Sequence, residues 1–184
     1  IDTAKLAKAL NTKFSEAQLL LLDHTQIECE ARGVNDPRWL RYMIATNWHE
    51  CKFKPIRETD WKGEGITDAQ AYARVTAYCK KNGKKNYAAR HPVTKQSYYG
   101  RSGPQLTHYF NYRIMEDITG LPLTTSPDLV LEPSVAAKVT VAGMVLGTFC
   151  RDKQGKPHTL ARYFNDTTTD PLGARRIVNG TDRA

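Results

Sequence analysis

Apolar residues recur at helical spacing along most of the chain. Trp39, Leu40, Met43, Ile44 and Trp48 fall close to a 3.6-residue period. They follow Asp36-Pro37, an N-cap residue with proline at the first helical position. The pattern predicts a helix from there to Glu50, which falls at its far end. Upstream, Ser15-Glu16-Ala17-Gln18 has the form of a capping box. It opens a helix through Leu19, Leu20 and Leu22 that should end near Gly33. Thr67 or Asp68 caps another through Ala71, Val75 and Tyr78. Further helices are expected over Leu106–Ile118 and Pro133–Phe149, with Pro127-Asp128 marking a loop between them. The run Val139–Cys150 is shorter than the roughly 18–20 apolar residues that span a bilayer, and it contains Gly143 and Gly147. It reads as a buried helix. A polar segment, Arg151–Pro157, precedes a last helical stretch and the C-terminal Arg175–Gly180.

The intervening segments lack this period. Residues 51–66 carry Pro55 and two glycines and should be irregular. Residues 80–95 are basic and polar, with four lysines between 80 and 85, and predict an exposed loop or small lobe. Tyr98–Pro104 reads as a turn. Period-two alternation is scarce, so the fold class is mainly α. One domain over residues 1–184 is expected, with a small irregular lobe at about 60–97.

Composition narrows the class. With 184 residues, 40% hydrophobic and 25% charged, the chain can bury a sizeable core. A net charge of +8 favours polyanionic partners: nucleic acid, an anionic membrane or an acidic cell wall. Its blander meaning is solubility. Cysteines stand at 29, 51, 79 and 150 with no CxxC pair, which speaks against a zinc or redox site. They read as mostly reduced thiols of a protein folded in a reducing compartment, one disulfide being left open. The first residue is Ile1, and Lys5 and Lys8 are not followed by a compact apolar core. The chain is therefore expected to be processed or cut from something longer, without a signal peptide at its start, any export using another route or a segment outside this sequence.

Two carboxylates stand out. Glycoside hydrolysis needs one carboxyl group to protonate the leaving oxygen and another to activate water or attack the sugar. On one continuous helix Glu50 and Glu58 would lie about 12 Å apart, at a rise of about 1.5 Å per residue. Pro55 should break that helix. A chain folded back on itself would then bring them into the roughly 6.5–9.5 Å window of an inverting enzyme. Two solvated surface acids are the plain alternative.

Four blocks carry a resemblance. They are Trp48-His49-Glu50 with Phe53 and Pro55-Ile56-Arg57-Glu58; Tyr98-Tyr99-Gly100-Arg101-Ser102-Gly103-Pro104-Gln105-Leu106-Thr107-His108 with Asn111-Tyr112; Pro127-Asp128-Leu129-Val130 with Pro133 and Ala136; and Arg176-Ile177-Val178-Asn179-Gly180. In this order they resemble family 19 of the glycoside hydrolases, which includes plant chitinases and phage endolysins. The resemblance implies a lysozyme-like helical domain with a cleft. It makes Glu50 the general acid, Glu58 the general base and Thr107 a holder of the attacking water. It places Gln105, Asn111 and Asn179 on the sugar, with Tyr99 as an aromatic or phenolic contact and Arg101 as partner of a catalytic carboxylate. His49 is expected to be a buried, hydrogen-bonded residue at the edge of substrate binding. Two departures stand out. Cys51-Lys52 replaces a glycine-rich spacer, which keeps Asp60 in reserve as the base, and Ser102 takes the place of the turn's second glycine.

The function so implied is hydrolysis of β-1,4 bonds in peptidoglycan by a phage lysin. It would be made in the cytoplasm of an infected bacterium or carried in a virion, and would act on the periplasmic wall. A monomer is expected, without cofactor, metal, nucleic-acid partner or integral membrane segment. Alternatives are a chitinase on poly-N-acetylglucosamine, a lytic transglycosylase and a catalytically silent wall-binding domain.

Overall fold

A computed structural model describes residues 1–60 and 62–179. The described chain is mainly α, as expected. Seven α-helices follow in order: α1 (Thr3–Ala9), α2 (Glu16–Ala31), α3 (Pro37–Cys51), α4 (Asp68–Lys81), α5 (Tyr109–Thr119), α6 (Pro133–Leu146) and α7 (Leu160–Tyr163). Two 3₁₀ helices cover Pro127–Leu131 and Gly173–Ile177. Extended pairing among the described residues is confined to isolated bridges.

The packing centres on α6. Ala136, Ala137 and every residue from Val139 to Met144 are buried. A helix apolar on all sides must be enclosed, and α2, α3, α5, α7 and the first 3₁₀ helix surround this one. Its successive faces enter three clusters. Ala136 and Ala137 meet Leu21, Leu22 and Phe53. Val139 meets Tyr98, Tyr112 and Met115. Val141 and Met144 meet Met43, Leu160 and Ile177. Each fully buried Val, Leu, Ile, Phe or Met among them contributes about 1.5–3 kcal/mol. A fourth cluster joins Ile66, Ala71, Val75, Cys79 and Ala88 to Tyr99, tying α4 and the loop after it to the Tyr98–Pro104 turn.

The caps at Ser15, Asp36 and Thr67 lie where the sequence put them. Other boundaries moved for identifiable reasons. The helix after Asp36 ends at Cys51, four residues before Pro55, because Lys52 (φ 52°) and Phe53 (φ 58°) both take left-handed backbone. Phe53 is stapled there by edge-to-face packing on Phe14 and by contact with Trp48. Gln18 of the α2 capping box donates its amide to the Lys52 carbonyl at 2.7 Å, so the signal that starts α2 also secures the reversal after α3. α5 begins at Tyr109 rather than Leu106, since Gln105 (φ 50°) and His108 (φ 71°) are left-handed and Leu106 pairs with Arg101. α6 stops at Leu146, where Gly147 (φ 69°) supplies the left-handed cap. Pro127-Asp128 opens a 3₁₀ helix instead of a loop. α1, capped by Asp2, had no counterpart in the sequence reading. The helical stretch after Pro157 is a single turn, and the C-terminal block forms the 3₁₀ helix Gly173–Ile177; Gly180 lies outside the described residues.

All four cysteines are free. No helix among the described residues is long and apolar enough to cross a membrane. No group of three or more His, Cys, Asp or Glu among them is arranged to hold a metal ion.

Candidate active site

Glu58 sits where two backbone segments meet. Its amide donates to the Gly100 carbonyl at 2.7 Å, and the Gly100 amide returns a bond to Glu58 Oε2 at 2.8 Å. On either side, Arg57 bridges to Arg101 and the Ser102 amide donates to the Ile56 carbonyl. The other carboxylate oxygen accepts the Tyr87 hydroxyl at 2.5 Å. Burial and the neighbouring Glu58 push the Tyr87 phenol well above its ordinary range, so it remains a donor at any working pH. Glu58 is thus held as an acceptor by two donors.

Three of the sequence-predicted site residues converge on Gly100. A Cβ built on it would lie 2.6 Å from Gln105 Oε1, 3.1 Å from Glu58 Oε2 and 3.3 Å from Thr107 Oγ1. No side chain fits there, and three predicted site residues therefore surround one backbone atom. Thr107 donates its hydroxyl to the Gln105 carbonyl at 2.6 Å, and Asn111 fixes the Thr107 carbonyl at 2.8 Å. Gln105 donates its amide to the Ser102 carbonyl, while its buried Oε1 has no partner among the described residues. A buried unpaired acceptor is uncommon in a finished core and suits a place where ligand or water donates. Ser102, Gln105 and His108 all have positive φ within seven positions. That concentration of backbone strain is typical of functional turns.

Arg101 underlies the turn. Its side chain is 1% exposed. Nε donates to Asp128 at 2.7 Å and Nη2 to Asp68 at 2.9 Å, while Nη1 reaches the Ser97 carbonyl. The guanidinium lies 3.8 Å from the Tyr99 ring centroid. Asp128 also binds Arg57, and Asp68 accepts the Tyr99 hydroxyl. This corrects two expectations. Arg101 pairs with Asp68 and Asp128 rather than with Glu50 or Glu58, and Tyr99 is fully buried against it. Both hold the turn from behind instead of meeting a ligand. A buried guanidinium needs this many acceptors because an unpaired one would be prohibitively costly.

Glu50 lies one residue from the end of α3, half-buried. Asn179 donates its amide to Glu50 Oε1 at 2.7 Å, which joins the first and last of the four sequence blocks. Glu50 faces two hollows. One of about 330 Å³ is lined by Tyr42, Thr46, His49, Arg175 and Asn179. The other, about 270 Å³, is lined by His49, Lys52, Lys54, Ile56 and Asp60. His49 is exposed at the rim of both, not buried as expected. Asp60 is 4% exposed and accepts the amides of Glu64 and Gly65, so it shapes the loop after Glu58.

The two carboxylates therefore occupy separate constellations on touching elements: Glu58 with Gln105, Thr107 and Asn111, and Glu50 with His49 and Asn179. Gly103 packs so closely on Asn47 and Cys51 that a Cβ would collide with the Asn47 amide. The end of α3 and the turn carrying Gln105 and Thr107 are thereby in direct contact.

Three residues were missed from sequence. Tyr42 is detectable in retrospect, since Tyr42, Ala45, Thr46, His49 and Glu50 follow the i, i+3, i+4, i+7, i+8 rule of one helix face. Arg175 and Tyr87 gave no such signal; Tyr87 stands in a lysine-rich polar segment.

Two hydrogen-bonded carboxylates on neighbouring elements of a mainly α scaffold are the kind of groups that glycoside hydrolysis requires. A 40-residue stretch of the chain is 50% identical to Chitinase 11 of Oryza sativa subsp. japonica. The match covers 22% of this chain and 16% of that protein, so it relates a segment of each. No protein-family model matches the chain.

Proposed function

We propose that the chain hydrolyses β-1,4 glycosidic bonds between N-acetyl sugars by an inverting mechanism, with Glu50 as acid and Glu58 as base. The observation that carries this reading is the convergence of Glu58, Thr107 and Gln105 on Gly100. A carboxylate beside a hydroxyl and an amide oxygen without a partner among the described residues is a cradle for a water molecule. Water held there loses its proton to Glu58 as it attacks. Glu50, oriented by Asn179, gives its proton to the leaving oxygen. Glu58 takes the base role over Asp60 because it is only half-buried and converges with Thr107 and Gln105 on Gly100, whereas Asp60 is 4% exposed and holds the loop amides of Glu64 and Gly65.

Inversion has a direct test. Proton NMR of the first product should show the anomer opposite to the substrate's; retention would exclude water attack in a single step. A lytic transglycosylase would need one carboxyl group and would leave anhydro ends, visible by mass spectrometry of the products.

For the substrate we favour peptidoglycan. Its peptide stems carry free carboxylates, which a chain of net charge +8 attracts, whereas chitin is uncharged. Four free thiols suit synthesis in a reducing cytoplasm. A phage lysin that reaches the periplasmic wall from an infected cell, acting as a monomer, fits both features. The second reading is chitin, favoured by the segment shared with a rice chitinase. Parallel digestion of purified sacculi and of N-acetylglucosamine oligomers decides between them. A catalytically silent wall-binding domain would clear permeabilised cells as well after Glu50→Gln as before.

Two substitutions probe the water cradle. Thr107→Ala should lower kcat by about tenfold, less than loss of either carboxylate, because one of several contacts to the water is removed. Tyr87→Phe removes a donor from the Glu58 carboxylate. A bond to a charged group contributes about 1.5–3 kcal/mol to stability, so Tyr87→Phe should lower Tm by several degrees and kcat by about tenfold. An unaltered kcat in Tyr87→Phe would show that the Gly100 amide suffices.

A further inference from the structure

Behind the 3₁₀ helix Gly173–Ile177 lies a third hollow, of about 450 Å³. Arg175 faces the Glu50 side of this helix, and Arg176 faces the other. The walls of the third hollow carry Arg151, Lys153, Arg162 and Arg176, with His158 at 6% exposure. Asp152 is the one acid among the described residues that line it.

That acid is already engaged. Asp152 Oδ1 accepts the amides of Gln154 and Lys156, and Oδ2 accepts Arg162 at 2.9 Å. The same bonds close the 151–157 loop, which Arg151 and Pro157 pin at its base. Asp152 therefore offsets Arg162 and shapes the loop, and does not neutralise the other three cations. Among the described residues Arg151 donates its side chain to the neutral Gly155 carbonyl. His158 is fixed by its Nδ1 bond to the Tyr163 hydroxyl and stacks on that ring. Burial, then Arg162 and Arg176, hold it below the ordinary imidazole range against the opposing pull of Asp152.

We propose that this hollow binds a phosphoryl group, at a site separate from the hydrolytic one. Three cations on a loop and a helix end match a dianionic phosphate better than a single carboxylate, and guanidinium forks suit its oxygens. The group arrives either as free phosphate or on a phosphate-bearing polymer.

Calorimetry on the whole chain with inorganic phosphate, chain polyphosphate and acetate tests the site, alongside NMR titration of His158. Phosphate should bind, acetate at least tenfold more weakly, and phosphate should raise the His158 titration midpoint. Lys153→Glu with Arg176→Glu should weaken phosphate binding at least tenfold at an unchanged melting temperature. Lys8→Glu with Lys13→Glu, a charge-matched pair on another surface, should leave it within twofold. Tighter polyphosphate binding would support a polymer as the source, and tighter inorganic phosphate the free ion. Equal losses in the two charge-reversed pairs, or equal binding of acetate and phosphate, would overturn the proposal, since the net field alone would then account for the affinity. Should the double variant fail to fold, an His158 midpoint unmoved by phosphate in the parent chain would overturn it equally.

Discussion

Glu50→Gln is expected to reduce glycan turnover by at least about two orders of magnitude while leaving the melting temperature of the chain within a degree or two. The amide keeps the acceptor oxygen that Asn179 binds at 2.7 Å, so the end of α3 should hold its shape. It has no acidic proton for the leaving oxygen, and acid catalysis contributes about 10²–10⁴-fold. Glu58→Gln should cost a similar factor for the opposite reason: it cannot accept the water's proton. If the residues act as a unit, the double variant will be scarcely slower than either single one. Initial rates on soluble glycan fragments, with calorimetric melting in parallel, measure both quantities. Near-parent rates in Glu50→Gln would remove Glu50 from the chemistry.

The second large effect should be on stability. Arg101→Met strips a buried cation from Asp68, Asp128 and three backbone or hydroxyl acceptors. Breaking a fully buried ion pair costs about 3–5 kcal/mol. Asp68 and Asp128 are 37% and 46% exposed, and water will solvate part of the charge left behind. About 2–4 kcal/mol is the expected loss, or roughly 10 °C in Tm for a chain of this size. Arg101→Lys should recover little, because one ammonium cannot reproduce a planar fork that serves five acceptors. Glu58 should suffer too, since its Gly100 partner adjoins Arg101 and Arg57 shares Asp128. A melting point unchanged in Arg101→Met would show that the Tyr99, Tyr112 and Leu106 packing alone maintains the turn.

Much of the helical scaffold was legible because its signals are local. Capping boxes, a proline at the first helical position and a 3.6-residue apolar period depend only on neighbours a few residues away, and α2, α3 and α4 begin where these predict. The missed boundaries depend on remote partners. Nothing near Lys52 announces a left-handed residue; it is held from Gln18, 34 positions earlier. The late start of α5 comes from Leu106 pairing with Arg101 across a strained turn.

The site divides in the same way. Glu50, Glu58, Gln105, Thr107, Asn111 and Asn179 were named from motif order, and the structure gathers them around Gly100 and around the end of α3. Motif position suggests a ligand contact for Tyr99 and a catalytic carboxylate as partner for Arg101, because it does not encode burial. A residue retained to hold a turn and one retained to hold a sugar look alike in a one-dimensional pattern. Tyr87 was invisible because its partner, Glu58, lies 29 positions away, on the other side of α4.

The central position of α6 bears on how the molecule comes apart. A helix shared by three apolar clusters cannot be exposed in one of them while the others stay intact, so its amides should exchange with solvent only through global unfolding. The lobe around α4 packs on its own cluster, apart from the three that share α6, and is free to open at lower cost. Deuterium uptake should therefore be slowest across Val139–Met144 and markedly faster across Asp68–Lys81. Because Tyr87 follows α4, excursions of that lobe would loosen one of the two donors on Glu58 well before the scaffold melts, and heat should impair turnover at temperatures where α6 is still fully protected.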